Sequence, residues 1–160
     1  MLKHIITITA LSLISFILIS CGGNSEADDK EAAAKNEPAK AKTVENRWYN
    51  TAQLMRGKRV FKENCAVCHG DKGQSLTENW KVAQADGKYP APPLNGSAHA
   101  WHHSKEILKR TVNNGGIALG GTMPSFKDKL SEEEKEAVLA HVMSLWPDKI
   151  YQAWNKRNPL

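Results

Sequence analysis

The sequence is short of most features that mark a disulfide scaffold, a nucleic-acid binder or an integral membrane protein. It holds three cysteines in 160 residues, Cys21, Cys65 and Cys68, and an odd thiol in an oxidising compartment needs its own explanation. Its apolar run from Ile5 to Ile19 falls short of the about 20 residues a helix needs to cross the hydrocarbon core. Lys and Arg number 22 against 17 Asp and Glu, a formal charge of +5, but bases and acids are interleaved and no basic block forms. That pattern argues against nucleic acid as a partner. No internal repeat occurs, and the strand–helix–strand setting of a thioredoxin-like domain is missing as well.

What is present begins with Lys3 and His4 ahead of the apolar run, the basic and hydrophobic regions of an export signal. The run closes on Leu18, Ile19, Ser20 and Cys21, which resembles a bacterial lipobox. The resemblance implies a signal peptide over 1–20, cleaved before Cys21, and acylation of that cysteine. More than one acyl chain is what turns marginal membrane binding into stable anchoring. An uncleaved anchor is the alternative, and either reading puts the rest outside the cytoplasm, on the periplasmic side of a membrane. From Gly22 to about Asn46 the residues are small and charged, with no aromatic and almost no large aliphatic side chain. Burial there cannot offset the entropy of ordering, so residues 21–46 are expected to be a flexible lipidated tether.

Trp48 to Cys65 predicts a helix with Leu54, Met55, Val60 and Phe61 roughly on one side. It runs into Cys65, Ala66, Val67, Cys68 and His69, a CxxCH sequence, the attachment pattern of c-type haem. Two thiols a helical turn apart can each add to a haem vinyl group while the next residue offers an imidazole to the iron. Two other uses of the thiols compete. A redox-active disulfide usually sits in the strand–helix–strand setting missing here. A zinc site completed by two of His99, His102 and His103 would need a gap of about thirty residues where compact fingers use about 12 to 15, and would leave His69 idle. Iron held by His69 needs a second axial ligand, and Met123, within Gly120, Gly121, Thr122, Met123 and Pro124, offers a soft thioether. Met55 and Met143 fall in predicted helices, where packing is the expected role.

The order of motifs is specific: CxxCH, then Pro92, Pro93, Leu94, Asn95 and Gly96 in the manner of a PxLxG element, then the glycine loop with Met123, then a final helix. From about Gly57 to Trp146 the chain resembles a monohaem class I c-type cytochrome. The resemblance implies an all-α fold, three to five helices around one covalently attached haem c. The domain is expected over 47–150, and the aromatic residues after it mark a C-terminal tail over 151–160. The resemblance also implies that the Pro92 carbonyl accepts a hydrogen bond from the axial imidazole, fixing the ring. It further implies that the first and last helices cross near right angles through Gly57 and Phe61. His141 stands where many members carry an aromatic, and both a surface and a core position are open to it. Ser131 with Glu134 forms a capping box for the final helix, Val138, Val142 and Leu145 follow at helical spacing, and Pro147 ends it.

The connection between His69 and Pro92, containing Trp80, Asp86, Gly87, Lys88 and Tyr89, is longer than small members use and is expected to form a lid or docking loop. Trp101 is the expected donor to a haem propionate through its indole N–H. His99, His102 and His103 read as exposed neighbours of a helix starting after Ser104, with a copper site as the alternative. Trp146, Tyr151 and Trp154 are expected to cover apolar surface, or else to meet a partner. The function implied is an electron carrier rather than an enzyme, since iron with His69 and Met123 on both axial positions has no open site. Its partners would be a redox protein donor and acceptor, with acidic docking surfaces suited to this basic chain. A haem subunit or sensor domain in which Met123 dissociates, or a periplasmic copper-handling protein, are the alternatives.

Overall fold

A computed structural model describes residues 44–159. The leader, Cys21 and nearly all of the expected tether lie outside the described residues. Within them the chain forms five helices, α1 (Thr51–Asn64), α2 (Ala66–His69), α3 (Lys105–Asn114), α4 (Glu132–Ser144) and α5 (Asp148–Arg157), and no strand. Two single 3₁₀ turns, Ala100–His102 and Ile117–Leu119, and one isolated bridge between Tyr89 and Gly121 complete the regular structure. None of these helices is long and apolar enough to cross a membrane.

The first helix begins at Thr51, not at Trp48, because Asn50 and Gln53 form a capping box. Asn50 Oδ1 accepts from the Gln53 amide at 2.9 Å and Gln53 Oε1 accepts from the Asn50 amide at 3.0 Å. Trp48 and Tyr49 therefore precede the helix and pack against the core beside Met143 and Tyr151. The Trp48 amide donates to the Tyr151 hydroxyl at 3.1 Å, and the Arg47 guanidinium lies 3.9 Å over the Tyr151 ring while pairing with Asp148. Val44 also packs against the core. Residues 44–46, expected in the tether, thus belong to the folded body, drawn in by the aromatics that follow them.

Helix α4 is buried on all sides from Ala137 to Met143, which is what an apolar stretch without a polar face requires. Ser131 and Glu134 cap it as the sequence implied. Helix α1 crosses α4 at Gly57, where an added Cβ would fall on the Ala137 carbonyl oxygen. Only a hydrogen atom fits there, and one turn later Phe61 meets the His141 ring at 5.0 Å, edge on. His141 is a core residue, and burial first, then the Lys58 charge, holds its pKa below the ordinary value. Ion pairs join α3 to α4, with Lys109 Nζ 3.0 Å from Glu136 and 2.9 Å from Glu132.

The C-terminal stretch differs from the sequence reading. Pro147 ends α4 but also precedes α5, its φ of −52° and ψ of 144° setting the turn into a second helix. Asp148 in the first turn and Lys156 and Arg157 in the last complement the helix dipole. The expected aromatic tail is therefore a helix whose Tyr151 and Trp154 are buried core residues. Trp154 Nε1 of α5 donates to the His103 carbonyl at 2.8 Å, and Trp146 Nε1, in the turn before α5, donates to the Leu94 carbonyl at 2.9 Å, so the C-terminal segment fastens two loops that flank the site.

Candidate functional site

Helix α1 ends at Cys65, whose amide still bonds to the Phe61 carbonyl at 2.8 Å. The chain then re-enters a single helical turn, α2, in which the His69 amide bonds back to the Cys65 carbonyl at 2.9 Å. This turn brings Cys65, Cys68 and His69 to one wall. Gly70 closes it with φ +77°, a conformation that favours glycine. The Pro92 segment is stitched alongside: the Leu94 amide donates to the Gly73 carbonyl at 2.7 Å, and the Ser75 hydroxyl to the Ala91 carbonyl at 2.8 Å.

His69 is buried, and its Nδ1 lies 2.8 Å from the Pro92 carbonyl oxygen. A carbonyl only accepts, so the proton sits on Nδ1 and the Nε2 lone pair is left to bind a metal. Burial holds the His69 pKa below the usual imidazole value, and the bond to Pro92 pulls it partly back. The net shift favours the neutral ring, the form that ligates. Burial pushes the Cys65 thiol up to about 11, with Cys68 adding to the rise and Lys129 opposing it. A thiol held protonated is a poor nucleophile, which weakens the redox-disulfide reading.

Met123 lines the same cavity from the loop after α3. The loop is closed by the Gly116 amide on the Met123 carbonyl at 2.9 Å and the Gly121 amide on the Gly116 carbonyl at 3.0 Å. Gly115, at φ +74°, lies so close that a Cβ would come within 2.6 Å of the Met123 carbonyl oxygen. The long connection braces this loop too, the Tyr89 amide donating to the Gly120 carbonyl at 2.9 Å.

Cys65, Cys68, His69, Pro92 and Met123 all line one cavity of about 930 Å³, at the upper end of the ~300–1,000 Å³ typical of small-molecule sites. Its walls are apolar, from Phe61, Leu108, Val112, Phe126, Val138 and Val142. No Asp or Glu lines it; Lys81 and Arg110 do. Two thiols a turn apart, a neutral imidazole fixed through Nδ1, a soft thioether and apolar walls free of acid fit a haem with its acidic side groups.

Trp101 is not among the lining residues. Its ring lies 4.0 Å from that of His102 and 5.0 Å from the Arg157 guanidinium, so the expected propionate contact has no support in its placement. His99 and His103 line the cavity instead, as do Trp80 and Lys81 of the long connection. The three histidines do not meet, because His102 turns to Trp101, and among the described residues no three His, Cys, Asp or Glu side chains are grouped to hold a metal. Their placement lends no support to a copper or zinc site.

Residues 52–142 match the family described as cytochrome C oxidase, cbb3-type, subunit III. The cbb3-type cytochrome c oxidase subunit CcoP of Azospirillum sp. (strain B510) is 32% identical over 96 residues, 60% of this chain and 30% of that subunit. Cytochrome c6 of Cladophora glomerata is 37% identical over 90 residues, 56% of this chain and 85% of that protein. The cytochrome bc1 complex cytochrome c subunit of Corynebacterium diphtheriae is 25% identical over 146 residues, 91% of this chain and 46% of that subunit. The chain thus spans less than a third of the length of the oxidase subunits it resembles. No solved structure matches.

Proposed function

The chain belongs to the c-type cytochrome family described as cytochrome C oxidase, cbb3-type, subunit III, and on that premise we propose that it is an extracytoplasmic electron carrier with His69 and Met123 as axial ligands to one haem. Haem c is the cofactor, bound covalently; Cys65 and Cys68 are the attachment points under this reading. When bound, it supplies an iron that gains and loses one electron.

The observation that carries the reading is the single cavity lined by both cysteines, His69 and Met123. The chain's own residues hold, orient and shield. The Pro92 carbonyl fixes the His69 ring and raises its basicity through the 2.8 Å bond. The apolar walls from α1, α3 and α4 would keep water from a bound haem iron and, with Met123 as a thioether ligand, would favour a higher potential than two imidazoles. The backbone bonds that fasten the Met123 loop at Gly116, Gly120 and Gly121 support a fixed ligand over a displaceable one.

Electrons would pass at the cavity mouth, where Cys68 and Leu119 are exposed and Lys81 and Arg110 give a positive rim suited to acidic redox partners. The sequence from Lys3 to Cys21 supports export and a lipid tether at Cys21, which would keep the domain beside a membrane. The test is spectroscopic. The ferric protein should show the weak far-red band of methionine-ligated haem, Met123→Ala should lose it, and the ferrous wild type should not bind carbon monoxide. Rapid carbon monoxide binding by the wild type would favour a ligand-binding haem subunit or sensor.

A further inference from the structure

The long connection and the histidine run, two features that the carrier reading leaves without a task, meet at one corner of the cavity. Lys81 Nζ lies 5.1 Å from the Trp80 ring centre, Trp80 lies 5.9 Å from the His99 ring, and His99 lies 5.7 Å from the His103 ring, edge on. All four side chains line the cavity. His99 and His103 flank the 3₁₀ turn Ala100–His102, and the core pins that turn, since Trp154 Nε1 donates to the His103 carbonyl at 2.8 Å. The corner is therefore held in place from the protein side. It offers protonatable and cationic donors, and no protein carboxylate lines the cavity to satisfy them.

We propose that His99 and His103, with Lys81, receive the acidic side groups of the haem, and that the histidine pair takes up a proton as the iron is reduced. The inference rests on the haem reading above and goes beyond it by making the carrier's potential depend on pH. Carboxylates in an apolar cavity need donors, and imidazolium and ammonium supply both the hydrogen bond and the charge. An electron arriving in the same low-dielectric space strengthens the hold of a nearby imidazole on its proton. The balance is simple: one electron comes from the donor protein, and up to one proton from water forms one imidazole N–H bond. On reoxidation that bond breaks and both leave.

The charged and titratable groups facing His99 are Lys81 from the connection and His102 and His103 from its own turn, while Arg110 of α3 lines the same cavity. Burial first, then His103, His102 and Lys81, lower the His99 pKa, in the direction that leaves room for a proton on reduction.

The experiment is a spectroelectrochemical titration of the haem-loaded protein from about pH 5 to about pH 8, the window in which histidine ordinarily titrates. The wild-type potential should fall with rising pH between two plateaus. A tenfold difference in proton affinity between the two oxidation states separates the plateaus by about 59 mV. His99→Gln with His103→Gln should abolish the step while the far-red band persists, which shows that fold and axial ligands survive. Lys81→Gln should move the step to higher pH, because removing a cation raises the neighbouring imidazole pKa. A pH-independent wild-type potential, a step that survives in the double variant, or an unmoved step in Lys81→Gln would overturn the inference while leaving the haem reading intact. A colourless protein would remove both.

Discussion

Replacing Gly57 by alanine tests the helix crossing on which the cavity wall depends. An added Cβ would land on the Ala137 carbonyl oxygen, with the Ala137 carbonyl carbon at 2.6 Å and His141 Cβ at 3.1 Å. These are backbone atoms and the first atom of a side chain, so no rotamer change relieves the overlap and the two helices must part. Alanine is the better helix former by about 1 kcal/mol, which works in the variant's favour. Overpacking a core typically costs about 1–3 kcal/mol and occasionally more, and a clash with backbone belongs at the upper end. The clash wins, with a net loss of about 2 kcal/mol. At about 4 °C per kcal/mol for a domain of this size, Tm should fall by about 8 °C. The assay is thermal unfolding followed by far-UV circular dichroism, with Arg56→Ala, an exposed change on the same helix, expected within about 0.5 kcal/mol of wild type. A Gly57→Ala protein as stable as wild type, or more so, would refute the close crossing.

Three further outcomes follow from the same packing and from the leader. Trp154→Ala removes a fully buried ring and leaves the His103 carbonyl without its donor, so guanidinium unfolding should show a loss of about 3–5 kcal/mol; a change under about 1 kcal/mol would mean that α5 is an appendage. His141 has a lowered pKa in the fold, so the unfolded chain binds its proton first as pH falls, and stability drops from about pH 6.5 down to the folded value; His141→Phe should lessen that acid-side loss, and an unchanged profile would contradict it. Cys21→Ser should move the protein from membranes to the soluble fraction, and continued membrane association would count against the lipid tether.

How far the sequence was legible depended on whether the information was local. The CxxCH segment lies within one helical turn, and the Ser131 to Glu134 box within another, so each could be read without knowing the fold. Pro147 misled because proline both stops one helix and precedes the next, and only the burial of Tyr151 and Trp154 reveals α5 as part of the core. Residues 44–46 read as tether because their own composition offers little to bury; the anchor comes from Trp48 meeting Tyr151, 103 positions away. The long connection gave no hint of its pairing with the Met123 loop, since the bond from Tyr89 to Gly120 is a backbone contact with no side-chain signature. Trp101 and His103 are two residues apart, and composition could not say which faces the cavity. That was decided by the 3₁₀ turn between His99 and His103, which sends His99 and His103 inward and leaves Trp101 against His102.

The measurement that bears most directly on the whole account is extraction of the purified protein, made in a host able to mature such cytochromes, with acidified organic solvent. Thioether bonds at Cys65 and Cys68 predict that the red colour stays with the precipitated polypeptide and that Cys65→Ala with Cys68→Ala releases or never acquires it. Pigment that passes wholly into the solvent from the wild type, or a colourless wild type, would contradict the account.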